Sequence, residues 1–279
     1  MLGLGLQTRK QNISGYKGLL DDLNIDSFCK LGFSNVKLTK NFDGFSHLIY
    51  READATTKYF YFKGNGMIDE YSILNWLNGS VGKVKQWGNQ GNINYPAYQN
   101  DPDKMPEISN GSIIHENGFY FDGIDDCFQV DDYSGIQIVN QDLNIYLNIT
   151  PIDSGGIPFS KNINSAGASQ YTITLNYGLG AVYSIMEGNI RHSSPVPYNN
   201  NSVNTMMLDW SNDIVTMKCN EDFSTGNYSN TLTNREYVRI GCIHDSDLGE
   251  DRFIKGNINT VMIFNKTQLN NYDYIASKV

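Results

Sequence analysis

The stretch from Lys83 to Val130 constrains this 279-residue chain more than any other. Within it, Phe121-Asp122-Gly123-Ile124-Asp125-Asp126 centres an acidic turn on a glycine, and Phe128 and Val130 alternate out of it. Alternation at every second residue is the period of a strand with one buried face. A glycine-centred acidic turn is how such a strand reverses in an antiparallel sheet. Upstream, Trp87, Gly88 and Asn89, with Gly91 and Asn92, form a second turn. A polar loop punctuated by Pro96, Pro102 and Pro106 joins the two. Residues arranged like this specify β structure.

The rest of the chain agrees. Gln141–Thr150 alternates Leu143, Ile145, Leu147 and Ile149 against Asn144, Tyr146 and Asn148, which predicts a half-buried strand. Further strands are expected at 46–52, 57–63, 81–86, 170–177, 181–186, 204–209, 214–219 and 236–242, separated by Gly and Asn clusters. Helices are short: within Tyr16–Gly32, at 72–77, and at Gln268–Val279. Many short strands predict an all-β, two-sheet antiparallel sandwich. Its expected core includes Phe121, Phe128, Val130, Ile145, Leu147, Val261 and Ile263. A chain that is 40% apolar can fill such a core.

Charge narrows the partners. At a net charge of -9, no basic stripe is present to displace counterions from a nucleic acid or to hold an anionic membrane. No apolar run approaches the roughly 18 residues of a membrane helix. The opening MLGLGLQTRK lacks a leading basic region and a cleavage site, so no signal peptide is expected there. In Met1–Asn12, Leu2, Leu4 and Leu6 alternate with Gly3 and Gly5. This segment reads either as an arm that attaches to another subunit or as a frayed terminus. The expected division is an attachment arm with short helices over 1–32 and a sandwich over 33–279. No heptad repeat indicates an oligomeric state, and a homo-oligomer stays open.

The order of elements carries a resemblance. A strand with Ile49, Arg51 and Asp54 leads to a second strand, then Met67-Ile68-Asp69 ahead of a short helix. The Trp87-Gly88-Asn89 turn and Phe121-Asp122-Gly123-Ile124-Asp125-Asp126 follow. Over residues 27–130 this resembles the bacteriophage virion subgroup of concanavalin A-like lectin/glucanase sandwiches of laminin-G type. That subgroup is related to the catalytic domain of α-L-arabinofuranosidase B. Phe253–Lys266 resembles the last strand of such sandwiches. The resemblance implies a concanavalin A-like jelly roll. It further implies a non-enzymatic virion component, as head decoration, fibre or tail-associated adhesin. Such a protein would be assembled in the host cytoplasm and displayed on the particle, joined to other virion proteins through the arm. Host-surface glycan would be a further partner. The alternative it implies is a glycoside hydrolase of arabinofuranosidase type.

Candidate chemistry is sparse. Asp122, Asp125 and Asp126 could offer oxygens to Ca²⁺, but an EF-hand count from Asp122 puts Cys127 and Tyr133 where a glycine and a glutamate are needed. Turn capping by the same side chains is preferred, and no cofactor is expected. A glycosidase needs two carboxylates facing one sugar ring. Glu187, Asp209, Asp213, Glu221 and Asp222 are candidates, none of which matches a catalytic motif. His47, His115, His192 and His244 are scattered, and His244-Asp245-Ser246-Asp247 reads as a solvated hairpin. Tyr95, Tyr98, Tyr133, Tyr198, Tyr228, Trp87 and Trp210 lie near loops or turns, where rings can stack on sugars. Cys29, Cys127, Cys219 and Cys242 are expected as buried thiols, with a Cys219–Cys242 bridge as the alternative.

Overall fold

A computed structural model describes residues 16–131, 142–153, 155–162, 169–176, 181–186, 190–191, 195–229, 237–245 and 249–279. The expected arm with Leu2, Leu4 and Leu6 lies outside the described residues, as do Tyr133, Glu187 and His192.

The hub is β4 (Gly82–Trp87). One of its edges carries β2 (His47–Arg51), beyond which lies β3 (Thr56–Phe60). Two sheets diverge from its other edge. Near Trp87 it pairs with β5 (Ala97–Tyr98), which leads to β8 (Phe128–Val130) and β18 (Val238–Ile240). The order continues through β10 (Gly156–Asn162), β11 (Ser169–Asn176) and β12 (Ala181–Met186). Short β13 (Ile190–Arg191) and β14 (Val196–Pro197) flank β12 and complete sheet one. Near Gly82, β4 pairs instead with β6 (Glu107–Ser109), which leads to β7 (Phe119–Asp122) and β21 (Lys255–Phe264). The order then runs through β9 (Leu143–Pro151), β15 (Asn204–Ser211), β16 (Ile214–Cys219) and β17 (Asp222–Asn227), with β1 (Cys29–Ser34) on the far half of β21. This is sheet two. Among the described strands every pairing is antiparallel, and β19 (Ile243–Asp245) and β20 (Gly249–Asp251) pair only with each other.

The alternating apolar residues meet between the sheets. Phe121, Phe128, Val130, Ile145, Leu147, Val261 and Ile263 are all fully buried there, as the sequence predicts. Removing a Phe, Leu, Ile or Val side chain from water contributes roughly 1.5–3 kcal/mol, which makes this shared face the main source of stability. α2 (Glu70–Leu77) closes one side through Ile73 and Leu77, its first turn capped by Asp69 accepting from the Ser72 N–H.

Two expectations need correction. β9 is buried at every position and not on one face alone. Its outward Tyr146 packs with Met207, Met262 and Phe264 beneath α1 (Leu19–Leu23) and α3 (Tyr272–Ala276), which contribute Leu20, Tyr272 and Ile275. The division expected after residue 32 falls inside β1, because residues 19–28 spend their apolar side chains on this second core. The two ends of this region meet: Tyr274 donates to Asp22 at 2.9 Å, and the Asn265 N–H donates to the Phe28 carbonyl at 3.1 Å.

Candidate functional site

The two motifs most visible in the sequence act as fasteners. Trp87 is buried, edge-on to Phe119 at 4.7 Å between ring centroids. A Cβ on Gly88 would stand 2.0 Å from the Phe45 carbonyl oxygen, so no other residue fits there. Asn89 Oδ1 accepts from the Gly32 and Gly91 N–H groups at 2.7 and 2.9 Å, and its Nδ2 donates to the Ile93 carbonyl. Gln90 Oε1 accepts from the Leu38 N–H at 2.6 Å, while its Nε2 donates to the Ser34 and Val36 carbonyls at 3.3 and 3.0 Å. Both side chains are buried, so they supply backbone partners that a strand cannot. The turn therefore ties β1 and the loop after it to β4. Sequence reasoning missed Gln90, whose signal was a second amide beside Asn89.

The acidic turn is built similarly. Gly123 has φ +80°, and a Cβ there would sit 2.7 Å from the Lys255 Cβ. Asp122 Oδ1 accepts from the Ile124 and Asp125 N–H groups at 2.7 and 3.3 Å, and Asp126 Oδ2 accepts from the Asp122 N–H at 2.9 Å. Asp126 is buried; loss of solvent pushes its carboxyl up to about 7, with the charges of Asp122 and Asp125 adding to the rise. Oxygens of the three side chains lie within 4.8 Å of one another. Three carboxylates fall short of the about six to eight oxygens that Ca²⁺ takes, and the hydrogen bonds give each Asp122 and Asp126 side chain a structural task.

The cysteines correct the expected four thiols. Pairing of Phe128 with Ile240 brings the neighbouring Cys127 and Cys242 together, with Cα atoms 5.7 Å apart and a disulfide between them. Sequence spacing could not show this, because the partners are 115 residues apart. Cys29 and Cys219 are free and buried. His47 is also buried; desolvation pushes it down to about 3, and its Nε2 lies 3.1 Å from Asn35 Oδ1. His115 lies 3.4 Å from Glu107. Tyr198, Tyr228 and Trp210 are core residues, not loop platforms, and Trp210 Nε1 donates to the Tyr228 carbonyl at 2.9 Å. Tyr95 is exposed.

A buried polar patch that the sequence did not reveal lies on the outer face of sheet one. The core side of β8, β18, β10 and β11 carries Phe128, Val238, Phe159 and Tyr171. The alternate residues form a row in register: Gln129 opposite Arg239, Arg239 opposite Ser160, Ser160 opposite Thr172. Thr174 follows on the same face of β11. Arg239, Ser160, Thr172 and Thr174 are all buried. Ser160 Oγ donates to the Cys242 carbonyl at 2.9 Å, and β19 packs on β10 across this face. At the rim, Asp131 Oδ1 accepts from the Tyr98 hydroxyl at 2.6 Å and from Gln129 Nε2 at 3.1 Å. Burial pushes the Tyr98 hydroxyl up to about 12, and the Asp131 bond adds to it.

Among the described residues, the carboxylates named from sequence do not converge. Asp209 sits on the outer face of sheet two, where it accepts from Asn144 Nδ2 at 2.8 Å and from the Gln268 N–H at 3.3 Å. Asp213 lies in the turn before β16, and Glu221 and Asp222 lie at its other end. A strand of that length separates them by roughly 20 Å, too far to flank one sugar. An open cavity of about 420 Å³ is lined by Arg51, Asp54, Leu77 and the Asn78-Gly79-Ser80 turn. Its charges are paired with each other, Arg51 to Asp54 at 2.6 Å.

No family model and no curated protein matches the chain. Solved structures do. A GH54 α-L-arabinofuranosidase soaked with a cyclic sulfate inhibitor is 13% identical, with a TM-score of 0.73 over 92% of this chain. An arabinofuranosidase complexed with arabinofuranosyl-α-1,2-xylobiose is 14% identical, with a TM-score of 0.70 over 92% of this chain. In both cases the chain spans 63% of the length of the arabinofuranosidase it matches. These likenesses establish an all-β sandwich fold. They also correct the expectation of a non-enzymatic virion component: nearly the whole described architecture is shared with glycoside hydrolases, and nothing in the comparisons points to a phage particle.

Proposed function

We propose that this chain is a glycoside hydrolase acting on arabinofuranosyl groups of a polysaccharide. The observation that carries the reading is the arabinofuranosidase-like sandwich over 92% of the chain.

Hydrolysis of a glycosidic bond takes one carboxyl to protonate the leaving oxygen and a second to attack the sugar carbon or activate water. Register narrows the choice. Val130, Val238, Lys161, Tyr171 and Met186 form one row across sheet one, so the C-terminal ends of β8, β10 and β12 share an edge. Asp131 follows β8 at this edge, but four strand spacings of about 4.8 Å put it roughly 19 Å from β12. Gly241 donates to the Pro158 carbonyl and Cys242 accepts from Ser160, so the chain entering β19 lies against β10. Asp245 ends β19, over β10 and two strands from β12. Glu187, which lies outside the described residues, is next in sequence after Met186. Glu187, next after β12 in sequence, and Asp245, the last residue of β19, are therefore the two carboxylates to substitute first.

The test is release of arabinose from arabinofuranosyl-α-1,2-xylobiose by the purified chain. Glu187→Gln and Asp245→Asn should each lower kcat roughly a thousandfold with no change in melting temperature. Wild-type turnover that survives both substitutions would remove the assignment.

A further inference from the structure

The open cavity at the turn between β2 and β3 has fixed walls. One wall is Arg51, whose Nε and Nη2 donate to the two carboxylate oxygens of Asp54 at 2.9 and 2.6 Å, and whose Nη1 donates to the Trp76 carbonyl at 2.5 Å. The guanidinium also lies over the Trp76 ring, 4.8 Å from its centroid. Asp54 is held from its other side by the Thr56 hydroxyl at 2.8 Å. The facing wall is the chain that leaves α2, Asn78-Gly79-Ser80. Two bonds set its distance from the turn: the Ala53 N–H donates to Ser80 Oγ at 3.0 Å, and the Glu52 N–H donates to the Val81 carbonyl at 3.1 Å. The space between these walls, about 420 Å³, falls in the range of small-molecule sites and is formed before any ligand arrives. Its mouth is open at Gly79, where φ is +84° and a Cβ would meet no atom within 4 Å. From this geometry we propose that the cavity is a second carbohydrate site. It takes one neutral sugar residue and lies on the hub strands, apart from the carboxylates at the edge of sheet one.

The ligand class follows from the groups. Arg51 and Asp54 neutralise each other, so the lining offers no unpaired charge to a phosphate or a uronate. What the walls do offer is polar and neutral. Asp54 is 44% exposed and keeps acceptor capacity beyond its bonds to Arg51 and Thr56. The exposed Asn78 amide adds two donors and an acceptor. Leu77 and Ala53 add an apolar patch. Fixed donors and acceptors beside a small apolar surface suit a sugar, whose hydroxyls both donate and accept while its C–H groups pack. This inference rests on the glycoside hydrolase reading only for which polysaccharide supplies the sugar.

The experiment reads this cavity directly and apart from turnover. Arabinofuranosyl-α-1,2-xylobiose and a panel of neutral oligosaccharides are titrated into the full chain, followed by the backbone amide NMR signals of Gly79 and Ser80. Inorganic phosphate is titrated in parallel. At least one neutral sugar should shift both signals saturably, and phosphate should not. Asn78→Gly removes the amide yet keeps a backbone that φ 50° suits, and should weaken the binding roughly fivefold. Gly79→Asn places a side chain that tolerates positive φ in the mouth and should weaken it at least twentyfold. Asn75→Ala, exposed on α2 outside the cavity, is the control and should change nothing. Saturable shifts without any hydrolysis by the wild-type chain would sink the enzyme reading and keep the cavity. Signals that ignore every neutral sugar, that respond to phosphate instead, or that respond equally in Asn78→Gly and Gly79→Asn would overturn the cavity.

Discussion

The two sheets share one core yet present opposite outer faces. Sheet two turns Tyr146, Met207, Met262 and Phe264 outward and covers them with α1 and α3. Sheet one turns Gln129, Arg239, Ser160, Thr172 and Thr174 outward and lays the β19 segment across them. The first face is dominated by apolar side chains closed by two helices, so it contributes chiefly by removing area from water. The second is polar, and its groups contribute through hydrogen bonds such as Ser160 to the Cys242 carbonyl. Both faces bury hydroxyls without a partner, Thr172 and Thr174 on sheet one and Thr150 on sheet two. The contrast lies in what covers each sheet: apolar helix faces on one, hydrogen-bonded chain on the other.

Four substitutions sharpen this contrast, in falling order of effect. The Cys127–Cys242 bridge closes a span of 115 residues beside the polar face. Replacing both cysteines by alanine should lower unfolding free energy by about 4 kcal/mol, read by denaturant titration, because a long loop regains its freedom when unfolded. Equal stability of the variant and the parent would mean the bridge does not hold β8 and β18 together. On the opposite face, Tyr272 is buried and donates to the Thr205 carbonyl at 2.6 Å. Tyr272→Ala should cost about 3 kcal/mol in the same titration and leave sugar affinity unchanged.

The third is a pH effect with a definite sign. Asp126 has its folded value raised from 3.8 to about 7, so its contribution to stability is fully present below 3.8 and is lost as pH rises toward 7. Asp126→Asn should therefore raise stability by about 2 kcal/mol at pH 8 and change little at pH 3.5. A pH-independent difference would show that burial of this carboxyl is not what matters. His47 adds the opposite slope: its folded value is lowered to about 3, so stability is lost as pH falls below 6.5. The smallest effect is that of Thr172→Val, at under about 0.5 kcal/mol and in the stabilising direction.

The sequence made the inner face legible because period-2 alternation survives in Ile145, Leu147, Val261 and Ile263 whatever covers the sheet. It also made the turns legible, since Gly88 and Gly123 are glycines for steric reasons acting within a few residues. The outer faces were not legible. In β9, Asn144, Tyr146 and Asn148 read as solvent-facing, yet helices from both ends of the chain bury them. In β11, Thr172 and Thr174 look like the polar side of an ordinary strand, and only their burial marks them out. Cys127 and Cys242, Ser160 and Thr172, or Asn89 and Gly32 meet through long-range pairing that no local pattern encodes. The functional expectation failed for the same reason. The residues that carry the resemblance, from Ile49 to Asp126, build scaffold, whereas function is decided by side chains placed on it.

The most direct test of the account is the release of 4-nitrophenol from 4-nitrophenyl α-L-arabinofuranoside by the wild-type chain, measured beside Glu187→Gln and Asp245→Asn. The account predicts steady release by the wild type and a roughly thousandfold loss of kcat in each variant. No release by the wild type, or equal release by Glu187→Gln, would contradict it.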